Sequence, residues 1–278
     1  MRATIKVAAS LFSLFLMCCV RVIPAFPASE IAVVIDCRGD GLIIPSKSDL
    51  GVRCEKGLVV NPGDWVKTGP GAAVTLAFDK GFNNLVTVKE NSLAVAMPDG
   101  YFNMDLLEGS VFGDLGKIKS NRCFRLMSPA VAMETASGAW SARNEGAYTE
   151  VSVFRGTAAM TGMNPDGSLK KEKKAVAEGY GIKIMNNSDP GELEPNSEPL
   201  TAWAMDEIAK LRATRQTALS EMSENKLKIA EPPKSVFGKN SKVDTKIVYG
   251  GQEVNLEEYL SLEKNKVSGK VPSGDHGK

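Results

Sequence analysis

GDWVKTGPGAAVTLAFDKG, residues 63–81, is dense in glycine and runs into alternating apolar residues. Two readings compete for it. A phosphate-binding loop needs a strand, then glycines, then a helix whose N-terminal N–H groups face the anion. This stretch has no Gly-Lys-Ser/Thr, and Val74, Leu76 and Phe78 recur with period two after the glycines. That period marks a strand, so the aligned N–H groups and dipole of a helix are missing. Gly69-Pro70-Gly71 therefore reads as a turn between strands.

The same rhythm extends in both directions. Ile31–Ile35, Gly41–Ile44 and Lys56–Val60 are short apolar runs before it. After it, Leu93, Val95 and Met97 alternate, as do Phe102, Met104 and Leu106. Phe124 with Leu126, Val131 with Met133, and Val151 with Val153 follow, and "KAVA" and "YGIKIM" close the series near Met185. "NPGD" (61–64), "MPDG" (97–100) and "NPDG" (164–167) punctuate it with Pro ahead of an Asp/Gly pair. Pro presets φ for the first turn position and Gly accepts the positive φ that follows. "FDKGF" places Gly81 between two apolar strands, a hairpin signal. Short strands at this spacing belong to a sandwich, a barrel or a β-solenoid.

Composition bounds the function. Across 278 residues, Lys plus Arg is 34 and Asp plus Glu is 33. The balance supplies neither the basic excess of a nucleic-acid binder nor a field to steer a charged partner. The one histidine, His276, sits near the C-terminus between glycine and aspartate neighbours. A Ser-His-Asp or Cys-His arrangement needs a held imidazole, and a catalytic zinc site usually needs one too. The acids are scattered, and no pair stands out as a glycosidase couple. The expectation is a protein that is not an enzyme, with no cofactor and no metal.

Residues 1–28 read as a secretory signal peptide: Arg2 and Lys6, an uncharged run from Val7 to Val20, then "VIPAFPAS". Cleavage after Ala25 or Ala28 fits, with an uncleaved anchor as the alternative. A lipoprotein attached through Cys18 or Cys19 ranks last. The expected location is periplasmic or secreted. Cys37, Cys54 and Cys123 then meet an oxidising compartment. Cys37 and Cys54 are close in sequence and both border strand-like segments, so they are the favoured disulfide; three buried free thiols are the alternative.

Past the β region (30–186), "NNSDPGELEPNSEP" reads as a linker, 187–200. Residues 201–229 lack Gly and Pro and carry a helical stripe of Met205, Ile208, Leu211, Ala218, Leu219 and Met222. Asp206 and Glu207 suit the start of that helix electrostatically. Pro232 and Pro233 end it. Residues 230–278 are a polar, largely disordered tail in which 254–264 has a weak helical pattern. "LKKEKK" (169–174) reads either as a solvated loop or as a contact for an anionic polymer or lipid. Trp65, Trp140 and Trp203 are either core residues or a sugar-stacking platform.

"GDWVKTGPGAAVTLAFDKGFNNLVTVKENSLAVAM", "LLEGSVFGDL", "CFRLMSPAVAMETASGAWSAR" and "TEVSVFRGTAAM" follow one another in an order and spacing that resembles the FecR-domain family over about residues 56–161. "AVAEGYGIKIM" looks like the closing step of that family. The resemblance implies a mainly β domain of twisted β-solenoid or jelly-roll type, here followed by a C-terminal helix and the tail. It implies an extracytoplasmic role, since the best-known members relay a signal from an outer-membrane receptor to a cytoplasmic sigma factor. Those regulators have a cytoplasmic region and a mid-chain membrane helix that this sequence lacks. Ser137-Gly138-Ala139 also departs from the family's Gly-Thr step. The relay is therefore expected to be lost and the domain kept.

Three hypotheses follow. The first is a binding module that presents a sheet face or edge to an envelope protein, with Met205, Ile208, Leu211, Leu219 and Met222 of the helix as a second contact and signal transduction as its context. The second is a structural or polysaccharide-binding envelope protein using the tryptophans and residues 169–174. The third is a carboxylate-based hydrolase.

Overall fold

A computed structural model of the chain describes residues 32–48, 50–96, 103–118, 123–229, 246–249 and 252–255. The signal stretch, the turn at 97–100, Phe102, His276 and most of the polar tail lie outside the described residues. The strands are β1 (Ala32–Arg38), β2 (Gly41–Ile44), β3 (Val52–Arg53), β4 (Val59–Val60), β5 (Trp65–Thr68), β6 (Ala73–Ala77), β7 (Asn84–Val88) and β8 (Leu93–Ala96). They continue with β9 (Asn103–Leu115), β10 (Phe124–Met127), β11 (Val131–Thr135), β12 (Gly138–Asn144), β13 (Tyr148–Met163), β14 (Leu169–Ala177), β15 (Tyr180–Met185) and β16 (Leu193–Pro195). Helix α1 (Glu198–Ser223) follows, then a hairpin of β17 (Lys246–Tyr249) and β18 (Gln252–Asn255). That hairpin takes Val254 and Asn255 out of the weak helical pattern.

The strands build two layers. The first sheet runs β4-β1-β6-β7-β9-β12-β13-β15-β16. The second runs β3-β2-β5-β8-β9-β10-β11-β13-β14. Long strands β9 and β13 belong to both. The N-terminal half of β9 pairs with β8 and β10, and from Gly109 onward it pairs with β7 and β12. β13 makes the reverse crossing at Gly156. Both glycines have positive φ, +80° and +83°, a region that a side chain disfavours. Strands β9, β10, β11, β13 and β12 thereby close a five-membered ring, from which the others extend.

The fold is mainly β with one C-terminal helix, as the strand rhythm implies. It is not a solenoid. A solenoid stacks parallel strands, whereas β9–β10 is the one parallel neighbour pair among the described residues. The antiparallel partners come from tight turns. Gly71, at φ +66°, ends the Gly69-Pro70-Gly71 turn that carries the chain from β5 to β6, so the glycine-rich stretch is a turn. The β6–β7 hairpin forms, but Phe82 and not Gly81 takes the left-handed conformation (φ 51°).

The main core lies between the sheets and contains Val34, Leu76, Val86, Met104, Leu126, Met133, Val151 and Ile182. Strand β8 turns Ala94 and Ala96 into it, so the larger Leu93 and Val95 lie on the opposite face of the strand. A second core lies between the outer face of the first sheet and α1. Ile35, Phe112 and Phe154 of the sheet meet Ala204, Ile208, Leu211 and Ala218 of the helix. Burying Ile208 and Leu211 contributes roughly 1.5–3 kcal/mol each.

Helix α1 starts before and ends before the span expected from its apolar stripe. Ser197 caps it and its Oγ accepts from the Leu200 N–H, with Pro199 in the first turn, where no N–H partner is needed. Asn225, at φ 56°, follows its end, and Leu227 folds back into the second core. Within the stretch read as a linker, Leu193–Pro195 adds β16 to the sheet edge.

Candidate functional site

The five helix residues proposed as a partner contact divide between two environments. Ile208 (5% exposed) and Leu211 (4%) are spent on the first sheet, and Leu219 packs against the same core. Met205 (61%) and Met222 (37%) face outward. These two are more than four turns apart, so they do not form one patch.

A buried ion pair pins the helix. The Lys89 ammonium donates to Glu207 at 2.6 Å, and Lys210 donates to it at 3.0 Å. Glu207 lies well inside α1 because the helix begins at Glu198, so it does not serve the helix dipole. Burial pushes its carboxyl up, but the Lys89 and Lys210 ammoniums more than offset that and hold it below the usual carboxylate range. A depressed pKa contributes stability that is present above the unfolded pKa and lost as pH falls through the folded one. Glu207→Gln is therefore expected to cost about 1–3 kcal/mol at pH 7. The cost should vanish in acid below the folded pKa, where the native carboxyl is itself protonated. Urea unfolding of both chains across that range checks this, and a pH-independent difference contradicts it.

Beside the start of α1, the helix leaves a strip of the first sheet uncovered. A groove of about 1000 Å³ opens there. Its floor includes Ser110 of β9, Ser141 of β12 and Ser152 of β13. Ser141 and Ser152 are direct cross-strand partners. Trp203 and Leu200 of α1 line one side, and residues 89–91 and 107–109 contribute as well. The Trp203 ring is 37% exposed and meets Phe112 edge-on at 5.4 Å between centroids. The Lys89 ammonium stands 5.7 Å from the Trp203 ring centre.

The other tryptophans are core residues. Trp65 is 3% exposed and Trp140 is 1% exposed. Trp140 packs against Phe124, and the absence of a side chain at Gly113 makes room for its indole: a Cβ there would lie 2.4 Å from the ring. No three-tryptophan platform forms. The 169–174 cluster forms exposed strand β14 and not a loop. Its lysines are largely engaged: Lys173 with Glu134 at 2.6 Å, Lys170 with Asp189 at 3.6 Å, and Lys174 with the Gly191 carbonyl at 2.5 Å.

Cys37 and Cys54 are brought together as thiols in hydrogen-bonding contact, while Cys123 is a free thiol elsewhere. A Cβ built on Gly41 would lie 3.1 Å from the Cys54 Cβ and 3.3 Å from the Cys37 Sγ, so Gly41 leaves room for the pair. Among the described residues no group of three or more His, Cys, Asp or Glu is placed to hold a metal ion. No described helix is long and apolar enough to cross a membrane.

No family model matches the chain, and no curated protein matches it. Among solved structures, two crystal structures of a candidate anti-sigma factor from Parabacteroides distasonis align with it at 14% identity, with TM-scores of 0.39 and 0.38. Each alignment covers 50% of this chain and 63% of the other. A likeness this distant defines neither a common fold nor a common role.

Proposed function

We propose that this protein is a non-enzymatic, FecR-like extracytoplasmic binding module. It contacts an envelope protein through the groove-bearing outer face of its first sheet and takes part in signal transduction there. The observation that carries this reading is the groove beside α1, where an exposed Trp203 of the helix stands over a row of serines on the sheet. Solvent-facing aromatic rings with polar neighbours are the usual anchors of protein recognition. The helix supports the contact by fixing the groove wall, because its own apolar stripe is turned to the sheet. The polysaccharide-binding alternative keeps Trp203 but loses Trp65 and Trp140, which are buried.

Cross-linking the exported chain in its native envelope, with mass spectrometry of the products, tests the reading. A receptor or membrane-spanning regulator among the products is the expected result. Cell-wall polymer alone, or copies of the chain itself, would transfer the protein to the structural alternative.

A further inference from the structure

The groove has a charge character that no single element shows. Its lining carries four exposed carboxylates, Glu90, Glu108, Glu145 and Glu150, against two cations, Lys89 and Arg143. Both cations are already engaged, Lys89 by buried Glu207 and Arg143 by Glu145. Glu150 lies between Arg143 and Lys183 in the cross-strand register, and Glu90 accepts the Gly71 N–H. Glu108 pairs with Leu93 through the ladder, while its carboxylate has no hydrogen bond or ion pair among the described residues. The surplus is therefore negative and concentrates at Glu90 and Glu108.

An acidic rim alone is an ordinary solvated surface. The second observation is Ser152. It is 4% exposed, lines the groove, and its hydroxyl makes no hydrogen bond among the described residues. It is not one of the orphaned buried polar atoms, so it opens to the groove and can donate to or accept from whatever enters there. Residue 181, its cross-strand neighbour, is glycine, and a Cβ there would lie 3.0 Å from the Ser152 Oγ. The same Cβ would lie 3.1 Å from the Asn196 Oδ1, so a side chain at 181 would crowd both polar groups.

We propose that the groove receives an extended, lysine- or arginine-bearing segment of a protein partner. The segment's backbone or side-chain polar groups meet Ser152 and its cations meet Glu90 and Glu108. This deepens the binding-module reading and rests on it. The rim carboxylates provide the electrostatic match, and the serine floor lets a main chain approach closely.

The test titrates the protein, produced from the full chain, by calorimetry with a short capped lysine–serine peptide. The glutamate–serine counterpart and a neutral N-acetylglucosamine oligomer are compared with it. The lysine peptide alone is expected to bind, and more weakly as salt rises. Glu90→Gln with Glu108→Gln, both surface changes that keep an acceptor, should weaken it about tenfold. Ser152→Ala should weaken it roughly threefold to tenfold. Equal affinity in the glutamine variant, or binding of the saccharide and not the peptide, overturns the proposal. If no peptide binds while a photo-cross-linker at position 143 still captures an envelope protein, the cationic chemistry falls and the binding-module reading stands. If that cross-linker also captures nothing, both fall.

Discussion

Replacing Gly109 by alanine is expected to destabilise the protein by about 2–4 kcal/mol. Gly109 is where β9 leaves the second sheet for the first, at φ +80°. An added Cβ would meet the Ser92 Oγ at 2.3 Å, the Asn91 carbonyl oxygen at 2.5 Å and the Ser92 Cα at 2.7 Å. Two of these contacts are backbone, so the neighbour cannot rotate away. Ser92 is also committed, since its Oγ bonds with the Ser110 N–H at 2.8 Å and the Glu90 carbonyl at 2.9 Å. Thermal unfolding should fall by roughly 5–15 °C. Ser92→Ala relieves only the side-chain part of the clash and should not rescue the variant. An unchanged melting temperature in Gly109→Ala would mean that β9 does not cross between the sheets as described.

Under the proposed extracytoplasmic reading, the chain is expected to carry Cys37 and Cys54 as a disulfide with Cys123 free. The two thiols already touch, and closing them needs only the loss of two protons and two electrons to a disulfide donor. Burial pushes both thiols up, and in Cys54 the contact with Cys37 adds to it, so neither is a ready thiolate once folded. The bond should therefore form during folding, before the thiols are covered. It closes a short loop between β1 and the segment after β3 and should contribute about 3 kcal/mol. Peptide mapping of chain taken from the envelope, without reductant, checks the pairing. Reduction should then lower the urea midpoint, and Cys54→Ala should reproduce that loss. A free Cys37 in such material, or a bond to Cys123 instead, contradicts the expectation.

Much of the fold was legible because alternation is a local signal. Val74 with Leu76, Met104 with Leu106, and Val151 with Val153 all enter the main core, as their period-two spacing implies. Crossings were not legible. Gly109 and Gly156 look like turn glycines in the sequence, yet each continues a strand into another sheet, and only long-range pairing decides that. Alternation also could not say which face of β8 was inward, since alanines can win a core position when the opposing layer is close. The helix stripe was read correctly as apolar but not as already satisfied, because a sequence does not show what covers a face. Pro199 hid the helix start, being a breaker inside a helix but a favoured residue in its first turn. The groove was the least legible feature. Of its residues the sequence singles out Trp203 alone, because Lys89, just past β7, and Ser141 and Ser152 of β12 and β13 come together from distant parts of the chain. A signal existed in "EVSVF": Glu150 and Ser152 occupy the face opposite Val151 and Val153, a polar strip on a strand whose other side is core.

Site-resolved capture in living cells tests whether the groove is the face that meets a partner. A photo-reactive phenylalanine analogue replaces Arg143 at the groove in one strain. In another it replaces Leu169, which is exposed on β14 of the second sheet. One dominant envelope protein is expected to cross-link from position 143, to be absent from position 169, and to weaken when Glu90 and Glu108 are changed to glutamine. No product from position 143, equal capture from both positions, or capture of cell-wall polymer alone would contradict this expectation.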